Sequence, residues 1–234
     1  MNSIFKKLNI SFNDFLQLLF PPPCLSCNEV LLKDENYLCL SCEQKFGYHE
    51  VDLLLSEELK KRLMGKINVI NAFVALKFLK MGLVQNFIYE IKYSGQKLGA
   101  QWFGTQYGKV ISLEHSTDYI LMPIPLHRKK LIKRGYNQSE YFAKGLADSM
   151  NLPLNTTDLI RVKRRSSQTN KKRYQRWQNA EDVYLVQNNE NILGKHVILV
   201  DDVITTGATI ESCAHALKAA GVKEISVIAI AIAL

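Results

Sequence analysis

The chain contains no apolar run approaching the roughly 18 residues that a membrane-spanning helix needs, so no transmembrane helix is expected. A signal peptide is not expected either. Lys6 and Lys7 are followed by Asn9, Ser11, Asn13 and Asp14, which interrupt any apolar core behind them. No internal repeat or low-complexity tract is present, which excludes solenoid and linker-like architectures. Acidic residues are the scarcer sign, with 22 Asp and Glu against 30 Lys and Arg. The formal charge of +8 and pI near 9.2 favour an anionic partner such as nucleic acid, a nucleotide or a membrane surface. With 234 residues and 47% hydrophobic content, the chain can build one sizeable core plus a small appendage. Cysteines at metal spacing without an export signal point to a reducing cytoplasm.

The stretch from Val197 to Thr209 carries the most chemistry. Val197-Ile198-Leu199-Val200 is an apolar run ending in Asp201-Asp202, and Val203-Ile204-Thr205-Thr206-Gly207-Ala208-Thr209 follows. Ile210, Cys213, Leu217 and Ala220 then recur at helical spacing, and Gly221 closes the pattern. The order is strand, loop, helix. Amides at a helix N-terminus, three threonine hydroxyls and a glycine form a phosphate cradle, and the two carboxylates are placed to accept hydrogen bonds from sugar hydroxyls. The bland alternative is a buried strand whose acids cap the next helix. The whole string is more specific than that: it resembles the phosphoribosyl-pyrophosphate (PRPP) motif of type I phosphoribosyltransferases. No Gly-Lys-Ser/Thr ends the loop, so it is not a Walker A motif.

Four of the five cysteines stand in two Cys-x-x-Cys pairs, Cys24 with Cys27 and Cys39 with Cys42. Each pair can present two thiolates through a tight turn, and two pairs complete a closed tetrahedral zinc site. Such a site stabilises a segment too short for its own core. A redox dithiol would use a single pair near a βαβ pattern, so structural Zn²⁺ is the expected role. Cys213, on the helix after the phosphate loop, reads as a small core residue.

Three regions follow: residues 1–50 as an N-terminal helix and zinc ribbon, 51–115 as a connector and hood-like region, and 116–234 as the core. Ile4, Phe5, Leu8, Phe12, Phe15, Leu16 and Leu19 predict an amphipathic helix, stopped at Pro21-Pro22-Pro23. It is expected to dock on the body of the protein; peripheral association with the inner face of the membrane stays open. Strands are expected at Ala72–Phe78, Tyr119–Met122, Leu159–Lys163, Glu181–Val186, His196–Asp201 and Ile225–Leu234, with helices around Phe87–Ile91 and over residues 139–150. Apolar strands alternating with helices imply an α/β parallel sheet with both faces covered, and ligands bind outside the carboxyl ends of such strands.

Basic residues concentrate near those ends. Pro123-Ile124-Pro125-Leu126-His127-Arg128-Lys129-Lys130 follows one strand, and Arg134-Gly135-Tyr136-Asn137-Gln138 opens the next helix. Arg161 to Arg176 is denser still, with Arg164, Arg165, Lys171, Lys172, Arg173 and Arg176 interleaved with Gln168 and Tyr174, and Trp177 just beyond. Such a run is a solvated loop, a lid over a pyrophosphate, or a groove for single-stranded nucleic acid.

These motifs together resemble the bacterial ComF family in its ComFC-type branch. The resemblance rests on Pro22-Pro23-Cys24 with Cys27, Cys39 and Cys42; Lys92-Tyr93; Pro123 to His127; Arg134 to Gln138; Gln168, Arg173, Arg176 and Asn179; and the phosphate motif. Family members commonly carry Phe where Tyr136 stands, and an arginine that often ends their last strand does not follow Ile232-Ala233-Leu234 here. The resemblance implies a Cys₄ zinc ribbon on a type I phosphoribosyltransferase-like domain. It also implies a role in uptake of single-stranded DNA during natural transformation, alongside a ComFA-type helicase. At the site it implies that Asp201 and Asp202 hold the ribose hydroxyls and that Thr205, Thr206, Gly207, Ala208 and Thr209 wrap the 5-phosphate. Mg²⁺ would accompany PRPP. Arg173 and Arg176 are the catalytic candidates; Lys92, Arg128, Arg134, Arg164, Arg165, Lys171 and Lys172 are candidates for the pyrophosphate side or for nucleic acid. A PRPP-responsive factor for single-stranded DNA is the favoured function. A phosphoribosyltransferase on some acceptor is the alternative, and a ribbon-borne adaptor for the helicase is the third reading.

Overall fold

Strands that are apolar at almost every position need cover on both faces, and a parallel sheet between helical layers supplies it. The computed structural model describes residues 21–113, 118–163 and 182–234. In chain order its elements are α1 (Leu40–Phe46), α2 (Leu53–Leu63), β1 (Ala72–Phe78), α3 (Leu83–Tyr93), α4 (Lys97–Gly108) and β2 (Tyr119–Pro123). Then come α5 (Arg128–Arg134), α6 (Gln138–Met150), β3 (Leu159–Lys163), β4 (Asp182–Val186), β5 (His196–Ile204), α7 (Ala208–Ala219) and β6 (Glu224–Ala233). Four strands form one parallel sheet in the order β1-β6-β5-β2. Central strand β6 is covered on both faces, and every residue from Ile225 to Ile232 is buried.

One face of the sheet packs against Leu55, Leu59 and Leu63 of α2 and Ile210, Cys213 and Leu217 of α7. The other face carries Phe87, Ile88 and Ile91 of α3, Phe103 and Tyr107 of α4, and Phe142 and Leu146 of α6. Helices α4 and α6 approach unusually closely. A methyl group at Gly104 would run into the Phe142 carbonyl, and one at Gly145 into the Gln101 carbonyl, so only glycine permits this crossing. The cysteine-bearing segment is not a separate body. Leu25, Leu38 and Tyr48 share the cluster of Phe87 and Phe103, and Ser26 Oγ donates to the Leu83 carbonyl at 3.0 Å.

Two expectations change. Leu159–Lys163 and Asp182–Val186 are strands, but they do not join the parallel sheet. They pair antiparallel with each other, Leu159 opposite Val186, as a separate ribbon. The physical reason is one-sided burial: Leu159 and Tyr184 are buried, while Leu185 is 48% exposed. The core sheet in turn takes its edge strand β1 from the 51–115 stretch, because Ala72, Val74 and Leu76 are all buried against β6. Pro21 onward is described, so the expected helix over residues 1–20 lies outside the described residues. Arg164, Arg165, Gln168, Lys171, Lys172, Arg173, Tyr174, Arg176, Trp177 and Asn179 lie outside them as well. Among the described residues, no helix is long and apolar enough to cross a membrane.

Candidate functional site

Asp201 and Asp202 lie near the carboxyl end of β5, at the edge of the sheet where open α/β folds bind ligands. Successive residues of a regular strand point to opposite faces. Here the alternation breaks: Val200 packs in the α6 layer and Ile204 in the α7 layer, although a four-residue separation would put both on one face. Both carboxylates are consequently contacted from the first turn of α6. Ser139 Oγ donates to Asp201 Oδ1 at 3.3 Å, and the Gln138 side-chain amide donates to Asp202. Lys92, from the last turn of α3, completes the set with an ion pair to Asp202 at 2.9 Å. Burial, followed by the neighbouring charge of Asp202, pushes the Asp201 carboxyl from 3.8 to about 7, against the opposing pull of Lys92.

The loop after the acids is held from behind. The Arg62 guanidinium donates to the Thr205 carbonyl and, at 2.6 Å, to the Ala233 carbonyl, while Lys66 Nζ donates to the Thr206 carbonyl at 2.8 Å. In a trans peptide the carbonyl and the following N–H point in opposite directions. The amides of Thr206 and Gly207 therefore face away from Arg62 and Lys66. Gly207 has φ +79° and Leu63 packed close behind it, so a side chain there would meet both backbone strain and a clash. It starts α7 without a side-chain cap, and helix geometry leaves the Thr209 and Ile210 amides without an intrahelical partner. Thr205, Thr206, Ala208 and Thr209 are exposed. The loop presents exposed hydroxyls and a helix start beside two carboxylates, and amides at such a start can hold an anion.

The structure brings Lys92, expected on the pyrophosphate side or at nucleic acid, to Asp202 just ahead of the Thr205–Thr209 loop. Arg134 sits one step away, its Nη2 donating to the Tyr93 hydroxyl at 3.0 Å with the guanidinium 4.7 Å from the ring centre. Arg128 begins the exposed helix α5 and contacts none of the acids. Gln138 closes the Arg134–Gln138 motif and Ser139 follows it, and only the tertiary contacts mark either one as a partner of the acids. Arg62 and Lys66 lie in the 51–115 region expected as a connector and hood, and only their tertiary contacts mark them.

Cys24, Cys27, Cys39 and Cys42 converge, their sulfur atoms all within 4.8 Å of one another. Cys27 Sγ and Cys39 Sγ are 3.6 Å apart, and the Cys39 amide donates to Cys24 Sγ at 3.3 Å. Burial raises the Cys24 thiol, but hydrogen bonds from the backbone of Cys27, Cys39 and Ser26 outweigh it and bring the thiol below its ordinary value. The cluster offers four sulfur ligands to one metal ion.

A phosphoribosyl transferase domain model matches residues 137–233, from the start of α6 to the end of β6. Competence protein F of Haemophilus influenzae is 32% identical over 108 residues, covering 46% of this chain and 47% of that protein. Competence protein ComFC of Bacillus subtilis is 33% identical over 130 residues, covering 54% and 50%. ComFC of Streptococcus pneumoniae is 26% identical over 204 residues, covering 84% and 88%. The chain thus spans about half the length of the first two relatives and most of the third. With a parallel-sheet α/β core of phosphoribosyltransferase type and a four-cysteine cluster ahead of it, the chain is similar to the competence proteins F and ComFC.

Proposed function

We propose that this protein binds PRPP with Mg²⁺ at the carboxyl end of β5 and acts in the handling of single-stranded DNA during natural transformation. The observation that carries the reading is the joint placement of Asp201 and Asp202 toward α6, directly before a loop whose carbonyls are pinned back by Arg62 and Lys66. Asp201 and Asp202 accept hydrogen bonds from the ribose hydroxyls. The Thr206 and Gly207 amides, with the Thr205, Thr206 and Thr209 hydroxyls, hold the 5-phosphate, and Ala208 leaves room for it. Lys92 offsets the repulsion between adjacent carboxylates. Mg²⁺, when bound with PRPP, supplies charge neutralisation between sugar and pyrophosphate oxygens. The competence names of the relatives and the net charge of +8 support the DNA half.

Zinc is the metal that suits the cysteine cluster. A tetrahedral ion with bonds of about 2.3 Å separates its sulfurs by about 3.8 Å, in keeping with the spacing here. The ribbon then presents a rigid face on which a ComFA-type helicase can dock.

The test is a titration of labelled single-stranded DNA with and without Mg-PRPP at several salt concentrations. Binding should weaken steeply as salt rises and shift when Mg-PRPP is added. No binding at low salt would remove the DNA half. The match to a phosphoribosyl transferase domain favours a second reading, transfer to an acceptor. Pyrophosphate release from PRPP that requires Asp201 and Asp202 would establish it.

The proposed site also has a pH signature. Ribose recognition uses the Asp201 carboxylate, so Mg-PRPP affinity should rise up to tenfold per pH unit toward about 7 and level off above it. The linked effect on stability has the opposite sign. A folded pKa raised from 3.8 to about 7 favours the folded state at low pH, and this contribution is lost as pH rises through that window. Calorimetric titrations between pH 6 and 8 check the first effect. An Asp201→Asn profile as steep as the wild-type one would overturn the assignment.

A further inference from the structure

Helix α3 buries one face and leaves two aromatic side chains on another. Phe87, Ile88 and Ile91 fill the core, while Tyr89 and Tyr93 are 57% and 52% exposed. At four residues apart they are neighbours on the helix surface. Their ring centres are 5.0 Å apart with planes tilted by 46°, which makes a continuous aromatic surface rather than a slot. The Arg134 guanidinium lies 4.7 Å from the Tyr93 ring centre and bonds its hydroxyl at 3.0 Å, so the end of the platform is held in place. The residue next to Tyr93 is Lys92, whose ammonium reaches Asp202. The platform therefore begins at the wall of the proposed PRPP site.

Arg134 is also the last residue of α5, Arg-Lys-Lys-Leu-Ile-Lys-Arg, a helix with five basic residues, no acidic one and no buried position. Among the described residues, Arg128, Lys129, Lys130 and Lys133 have no carboxylate within ion-pair distance. Lys129 with Lys133, and Lys130 with Arg134, are like-charge pairs at i,i+4 spacing, which work against the helix. Arg128 and Lys129 add positive charge at the positive end of the helix dipole. A local conflict of this kind, uncompensated among the described residues, marks a surface whose compensation comes from outside. A polyanion provides it, and the adjoining tyrosines specify one with open base faces.

We infer that Tyr89 and Tyr93 of α3, with the basic side chains of α5, form a track for single-stranded DNA that runs up to the Asp201–Asp202 site. Bases stack on the tyrosines and on the Arg134 plane, and Lys129, Lys130 and Lys133 take phosphates. The inference rests on the DNA function proposed above and adds where the strand lies. A duplex hides its base faces and engages α5 alone.

The experiment is fluorescence anisotropy with a labelled single strand, and with a duplex of equal length, on the full chain. Tyr89→Ala with Tyr93→Ala should weaken single-strand binding about tenfold or more and leave the duplex unchanged. Tyr93→Phe, which keeps the ring, should stay within about twofold of wild type. Lys129→Gln, Lys130→Gln and Lys133→Gln together should reduce the slope of log affinity against log salt by about 2 for the single strand. Mg-PRPP binding measured on each variant reports an intact fold. If wild type binds the strand and the tyrosine variants match it, the track is wrong while the DNA function stands. If wild type binds no strand at low salt, both fall. If the lysine variants lose only binding to anionic lipid vesicles, α5 is a membrane surface and the track is likewise wrong.

Discussion

Replacing Asp201 and Asp202 together by asparagine is expected to weaken Mg-PRPP binding by about 10²- to 10⁴-fold, which abolishes it at ordinary concentrations. Hydrogen bonds to charged groups contribute about 1.5–3 kcal/mol each, and every 1.4 kcal/mol is about tenfold in affinity. The single variants should separate in stability. Asp202→Asn leaves the Lys92 ammonium, only 17% exposed, beside a neutral amide, so its melting temperature should fall. Asp201→Asn removes a carboxylate that burial and its neighbour already disfavour, so at pH 8 it should melt at or above the wild-type temperature. Calorimetry for binding and thermal melting for stability read both effects. A double variant that binds within threefold of wild type would remove the ribose role of these acids.

Changing Cys24 and Cys27 to serine should release the bound metal and cost more than the ribbon. Structural zinc sites contribute about 10–16 kcal/mol in isolated peptides, comparable to the about 5–15 kcal/mol that holds a whole domain together. Leu25, Leu38 and Tyr48 are continuous with Phe87 and Phe103, and Asn86 Nδ2 donates to the Ser26 carbonyl at 2.9 Å. Loss of the metal should therefore raise hydrogen exchange over residues 21–48 and also across α3 and α4. Metal content should drop from about one equivalent to none by elemental analysis. An unchanged metal content would sink the four-cysteine assignment. Increased exchange confined to 21–48 would show that the shared cluster does not couple the two parts.

Local chemistry was visible in the chain because it uses contiguous residues. The proposed phosphate cradle needs a strand, a short loop and a helix start in immediate succession, and Val197 to Thr209 supplies all three. The paired cysteines are equally local, with each pair closing its own turn. Strand positions followed from apolar runs, but partners did not. Leu159–Lys163 carries no mark that it pairs with β4 instead of joining the sheet, and β1 carries none that it forms the edge beside β6. Those choices depend on which faces other elements cover.

The amino-acid order by itself determined the acid pair, the loop that follows it, the cysteine ligand set and the kind of sheet that presents them, because each is encoded over a few neighbouring residues. The tertiary structure alone decided that Gln138, Ser139 and Lys92 grip the acids, that Arg62 and Lys66 turn the loop's amides outward, and that Tyr89, Tyr93 and α5 share one exposed surface. Gln138 meets Asp202 across 64 positions, and Arg62 meets Thr205 across 143. Side-chain types and short-range spacing hold no record of such distances, which are settled only when the two helical layers close over the sheet.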